Sequence, residues 1–154
     1  MCAPRKHLQR TVQAGVIIGD DRRVYESIAH TADVRFRVTS ESPEGLFADA
    51  LRALTDFMQP EWLDEPVTAS IELDAIDTTS LLVDFLGEAL TRCHVRREAY
   101  SEVVFESLTA TSCHAALNGR KVRGFGEDVK AVTYHEAEVV QRDGGWSTML
   151  VFDI

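Results

Sequence analysis

Asp33-Val34-Arg35-Phe36-Arg37-Val38-Thr39 runs into Ser40-Glu41-Ser42-Pro43-Glu44, and the period of the sequence changes between the two. Val34, Phe36 and Val38 alternate with Arg35, Arg37 and Thr39, the two-residue period of a half-buried strand. Ser42 then offers an N-cap, Pro43 a preset first helical position and Glu44 an acid in the first turn. Leu46, Phe47, Ala50, Leu51, Leu54, Phe57 and Met58 follow at the spacing of one helical face, and Pro60 closes the run. A strand feeding a capped amphipathic helix is the unit from which the rest is read.

Upstream, Val24 to Ala29 reads as another strand, joined to the first by the turn-like His30-Thr31-Ala32-Asp33. Downstream, Val67, Ala69, Ile71 and Leu73 alternate as a strand. Asp77-Thr78-Thr79-Ser80 caps a second helix with the stripe Leu81, Leu82, Phe85, Leu86, Ala89, Leu90 and Cys93. From Val103 onward the period is two. Val103 to Leu108, Ser112 to Leu117 and Lys121 to Gly124 read as strands, with Asn118-Gly119 as a hairpin turn between the last two. Val129 to Val140 alternates as one long strand, and Asp143-Gly144-Gly145 turns the chain into a final strand, Trp146 to Ile154. The order predicts an α+β domain with a mostly antiparallel or mixed β-sheet and two helices packed on one side. Residues 1–22 read as a weakly structured N-terminal extension and residues 23–154 as a single domain.

The bulk composition narrows the function. The chain has 154 residues, 45% hydrophobic and 27% charged, in the range of a globular protein with one core. No apolar run approaches the roughly 20 residues of a membrane helix, and the first residues lack a signal-peptide core, so we expect a cytoplasmic protein. Three cysteines without framework spacing agree with a reducing compartment. A net charge of −9 opposes nucleic-acid binding, and any contact with RNA is expected to be indirect, through a protein partner.

Two places carry chemistry. Asp33 lies where the chain turns into a buried-faced strand, and a carboxylate there needs hydrogen bonds, a basic partner or a metal ion. At the other end, Val151-Phe152-Asp153-Ile154 stops inside a strand, which delivers the α-carboxylate of Ile154 to a fixed place beside Asp153. Two anions so close repel unless a cation intervenes. Asp33, Asp153 and the Ile154 terminus together would supply hard oxygen ligands for calcium, magnesium or manganese. The alternative is that Asp33 caps its turn and the other two face water.

Three separated stretches carry a family resemblance: Tyr25-Glu26-Ser27-Ile28-Ala29-His30-Thr31-Ala32-Asp33-Val34, Val129-Lys130-Ala131-Val132-Thr133-Tyr134-His135-Glu136, and Phe152-Asp153-Ile154. Together with the second helix, Leu81-Leu82-Val83-Asp84-Phe85-Leu86, they resemble the archease family in the same order. The resemblance implies a metal-binding accessory protein, not an enzyme. Its partner would be the GTP- and manganese-dependent RNA ligase of tRNA splicing, whose guanylylation and multiple turnover it promotes. It also implies a divalent ion, calcium in the family, held by Asp33, Asp153 and Ile154. The length of chain ahead of Tyr25 and the short link Gly124 to Asp128 depart from the family pattern.

Other readings compete. His30, Asp33, His135, Glu136 and Asp153 include the residue types of a stand-alone metal-dependent hydrolase, using Asp33, His30 and Asp153, but no motif such as His-Glu-x-x-His is present. Adjacent Cys93-His94 and Cys113-His114 lack zinc-ligand spacing and read as core cysteines with their neighbours. Gly124-Phe125-Gly126 is too short for a phosphate loop. Lys130 and Glu136 share one side of their strand, with Lys130 free to meet a phosphate or an acidic partner residue, or simply to face water.

Overall fold

The computed structural model describes residues 33–154. The extension, the strand from Val24 to Ala29 and His30 all lie outside the described residues.

Nine elements follow in order: β1 (Asp33–Ser40), α1 (Pro43–Met58), β2 (Pro60–Asp74), α2 (Thr78–Arg96), β3 (Glu98–Leu108), β4 (Ser112–Phe125), β5 (Ala131–Thr133), β6 (Val140–Arg142) and β7 (Gly145–Asp153). This is the expected α+β architecture, with every strand pair antiparallel. The strands divide into two sheets rather than one. β7 has β1 along one edge and β5 and β6 on the other, while β4 lies between β2 and β3. No helix among the described residues is long and apolar enough to cross a membrane.

The caps read from the sequence form as expected. Ser42 accepts a hydrogen bond from the Gly45 amide at 3.0 Å, and Asp77 accepts one from the Ser80 amide at 2.7 Å, each satisfying an orphan donor of its helix. α1 stops because Gln59 turns left-handed (φ 51°), and Pro60 then opens β2. Arg97 ends α2 in the same conformation (φ 52°). Both stripes are buried: Leu46, Phe47, Leu51, Leu54 and Met58 from α1, and Leu81, Leu82, Phe85, Leu86 and Cys93 from α2. They share one core with Ile71 and Leu117 of the three-stranded sheet and Leu150 and Phe152 of the other. Each large side chain removed from water there contributes about 1.5–3 kcal/mol. Cys93 and Cys113 lie in this core, where burial pushes their thiols up to about 12 and about 11, as for core cysteines.

Two strand assignments need correction. Asn118-Gly119 is not a hairpin turn, because β4 runs unbroken through it, and Gly119 pairs with Val67 on one side and Tyr100 on the other. The glycine serves a close approach: a Cβ there would stand 1.8 Å from the Ala99 carbonyl oxygen. Gly119→Ala is therefore expected to lower the unfolding free energy by about 1–3 kcal/mol through overpacking, read from urea denaturation. An unchanged midpoint would contradict the close approach.

The run Val129 to Val140 is not one strand either. Only Ala131–Thr133 and Val140–Arg142 pair with β7. Between them the chain leaves the sheet and is tied to α2. The Tyr134 hydroxyl donates to Asp84, and the Val139 amide donates to Thr79 Oγ1 at 3.0 Å. The bend has Glu136 in the left-handed region (φ 59°) and closes with the Ala137 amide on the Tyr134 carbonyl. The alternating pattern is real, but two helix contacts override it. The hairpin chemistry is spent instead on Asp143-Gly144 (φ 51° and 76°), a tight two-residue loop joining β6 to β7.

Candidate functional site

β1 and β7 pair over eight positions, from Asp33↔Asp153 to Ser40↔Trp146. Phe36 stands opposite Leu150 and Val34 opposite Phe152, with Phe36, Leu150 and Phe152 on the core face, so the intervening positions point to the other face of the sheet. That register fixes the site. Asp33 and Asp153 stand directly opposite one another, at a separation of about 4.5–5.5 Å between Cα atoms. Like charges in such a pair destabilise a sheet unless a cation lies between or beside them.

Ile154 follows immediately and packs partly against the core, which holds its main-chain oxygens next to Asp153. β5 completes the row, because Ala131 pairs with Asp153 on the opposite edge of β7. The Lys130 amide donates to the Asp153 carbonyl at 2.7 Å, and Lys130 Nζ lies 3.4 Å from the Ile154 oxygen. Lys130 is thus neither a member of a long strand nor an idle surface charge. It stands just ahead of β5 with its ammonium at Ile154.

The next row along the same face is Arg35, Val151 and Thr133. Arg35 Nε donates to Glu136 Oε2 at 2.9 Å, while its Nη2 lies 3.9 Å from Asp33 Oδ2. β1 and β5 flank β7, and adjacent strands are about 4.8 Å apart, so the Arg35 side chain must cross β7 over Val151 to reach Glu136 beyond the end of β5. Val151 is 1% exposed even though it faces away from the helices. The hydrogen bond from Arg35 lowers the pKa of Glu136 and raises that of the guanidinium, so both groups are charged near neutral pH. His135 Nε2 lies 3.5 Å from the other oxygen of Glu136.

The strand register therefore sets Asp33 opposite Asp153 with Ile154 next in the chain, and Arg35, Lys130 and Glu136 lie around them. Among the described residues, no three His, Cys, Asp or Glu side chains lie close enough to hold a metal ion. The remaining carboxyl group at this end of the sheet is that of Ile154, which follows Asp153 directly. A donor set of carboxyl oxygens alone suits a hard divalent cation. For the hydrolase alternative, His30 lies outside the described residues, and His135 contacts Glu136 from an exposed turn. His94 is engaged with the Val129 carbonyl at 2.9 Å and His114 with Glu106 at 3.0 Å, so the Cys-His pairs form no joint site. Arg35 was legible as a neighbour of Asp33, since residues two apart on a strand share a face. Glu136 was not, because its position depends on the bend after Thr133.

Known proteins share this arrangement of sequence and fold. Residues 25–154 match the family model described as the archease protein family. A protein named archease from Methanopyrus kandleri is 33% identical over 144 residues, spanning 84% of this chain and 99% of its own length. One from Methanosarcina mazei is 30% identical over 139 residues, spanning 84% and 95%. Among solved structures, an archease from Thermotoga maritima, described as a possible chaperone, superposes with a TM-score of 0.65 at 21% identity, covering 86% of this chain and 98% of that one. The solution structure of protein 1598 from Methanobacterium thermoautotrophicum gives 0.60 at 24% identity, covering 82% and 96%. These two show a common fold, and the sequence matches carry the assignment further: this chain belongs to the archease family.

Proposed function

We propose that this chain is an accessory protein, not an enzyme, that binds a divalent ion at one end of its β1–β7 sheet. With that end it would activate the GTP- and manganese-dependent RNA ligase of tRNA splicing, promoting the ligase's guanylylation and multiple turnover. The observation that carries the reading is the cross-strand pair Asp33↔Asp153, which joins carboxylates from distant parts of the sequence at one point beside Ile154. Family membership supports it, since residues 25–154, which include Asp33, Asp153 and Ile154, match the archease family model. Calcium is the favoured ion, with magnesium and manganese as alternatives of the same chemistry.

The division of labour is as follows. Asp33, Asp153 and the Ile154 carboxyl group hold the ion, which supplies positive charge that neutralises them and orders the tip. Lys130 stays at Ile154 and keeps a cation on the rim of the site. The net charge of −9 steers the protein toward a basic RNA-binding cleft on the ligase without making it a competing RNA binder, so its contact with RNA is indirect. Such an activator works in the cytoplasm, beside the ligase.

The test is multiple-turnover ligation by the ligase of the same organism, with and without this protein. The expected result is a faster guanylylation step and product in excess of ligase. Ligation unchanged by the protein would overturn the reading. Phosphoester turnover by the isolated protein with manganese would favour a hydrolase instead.

A further inference from the structure

The carboxylate pair already has a counter-ion within the chain, and that counter-ion has a second claimant. Arg35 touches Asp33 at 3.9 Å through one nitrogen and Glu136 at 2.9 Å through another. We propose that Arg35 and Glu136 form a strap that sets the cation affinity of the Asp33–Asp153 site, Arg35 opposing an incoming ion and Glu136 drawing Arg35 away. The inference rests on the ion-site reading above and assigns a positioning role to two residues outside the ligand set.

Three observations support it. First, the strap spans a full strand, since Arg35 starts on β1 and Glu136 lies past β5, with β7 between them. A side chain stretched across a strand for one ion pair is not explained by stability. Both partners are over two-fifths exposed, and pairs so placed contribute little. Second, Glu136 is held where Arg35 can reach it. It occupies a left-handed backbone position, and the bend is pinned to α2 through Tyr134 to Asp84 and Val139 to Thr79. Third, the cations at this end are arranged around the carboxyl groups: Arg35 at Asp33 on the β1 side and Lys130 at Ile154 on the β5 side. A guanidinium about 4 Å from a ligand oxygen repels a divalent ion entering there, so relieving that repulsion tightens binding.

Charge removal at the two ends of the strap then has opposite signs. Arg35→Gln removes the opposing charge from Asp33 and leaves the Asp33–Asp153 pair to the ion, with Lys130 still at Ile154. Glu136→Gln keeps an acceptor oxygen but removes the charge that draws Arg35 away, which lets the guanidinium shift toward Asp33. The test uses the full-length protein with terbium as a luminescent probe and calcium in competition. Arg35→Gln is expected to tighten terbium binding on the order of three- to thirtyfold at low ionic strength, with a smaller gain at high salt. Glu136→Gln is expected to weaken it about three- to tenfold, and this loss should largely vanish in the Arg35→Gln background. Arg35→Lys keeps the charge and should stay within about threefold of the parent protein. The strap is overturned if Arg35→Gln leaves affinity unchanged or lowers it, or if the two substitutions act independently, and the ion site then still stands. A parent protein that binds neither terbium nor calcium overturns both.

Discussion

Phe152→Ala is expected to cost about 3–5 kcal/mol of unfolding free energy, a large share of the roughly 5–15 kcal/mol that holds a domain of this size folded. Phe152 is fully buried. Its ring meets Phe36 of β1 at 5.3 Å and Phe57 of α1 at 6.2 Å, and those two rings meet each other at 5.6 Å. The three rings close the joint between β1, β7 and the helix layer. Alanine leaves a cavity that three separate elements would have to shift to fill, which is why the estimate sits at the upper end of core truncations. Urea denaturation monitored by circular dichroism measures it, and a loss under about 1 kcal/mol would contradict the packing. Phe152 is also the residue before Asp153, so the same ring that seals the core fixes the backbone that carries the site.

Asp153→Asn should separate function from stability. The amide is close in shape to the carboxylate but has no charge. In a direct cross-strand pair with Asp33, the substitution removes a like-charge repulsion, so thermal stability without ion should hold or rise. Ion affinity should fall at least about tenfold, equivalent to about 1.4 kcal/mol, because one of three carboxyl groups is lost. Stimulation of multiple-turnover ligation should fall with it. A variant that folds normally, loses the ion and still stimulates the ligase fully would show that the ion plays no part in activation.

How much of this was legible in the sequence depends on the range of the forces involved. Caps and stripes are local, and they read directly: Ser42 and Asp77 cap the helices, and Leu46 to Met58 and Leu81 to Cys93 are buried. The turn Asp143-Gly144 reads equally well, because its positive φ angles are a property of two residues. Asn118-Gly119 misled for the opposite reason. The glycine answers a carbonyl on another strand, Ala99, and no local pattern reveals that neighbour. The bend after Thr133 was hidden because Tyr134 and Val139 are held by Asp84 and Thr79, about fifty to sixty residues away in sequence. Likewise Asp33 and Asp153 could each be recognised as costly carboxylates. Their pairing needed the β1–β7 register, and the second sheet needed the division of strands between β4 and β7.

The central claim is that carboxyl groups from Asp33, Asp153 and Ile154 grip one divalent ion. Its most direct test is a terbium and calcium titration of the protein beside a form lengthened by two glycines after Ile154, which turns the Ile154 carboxylate into an amide carbonyl and moves the charge away. The account predicts one ion bound by the parent protein and a loss of affinity of at least about tenfold in the lengthened form, with unfolding unchanged. Equal binding by the two forms would contradict it.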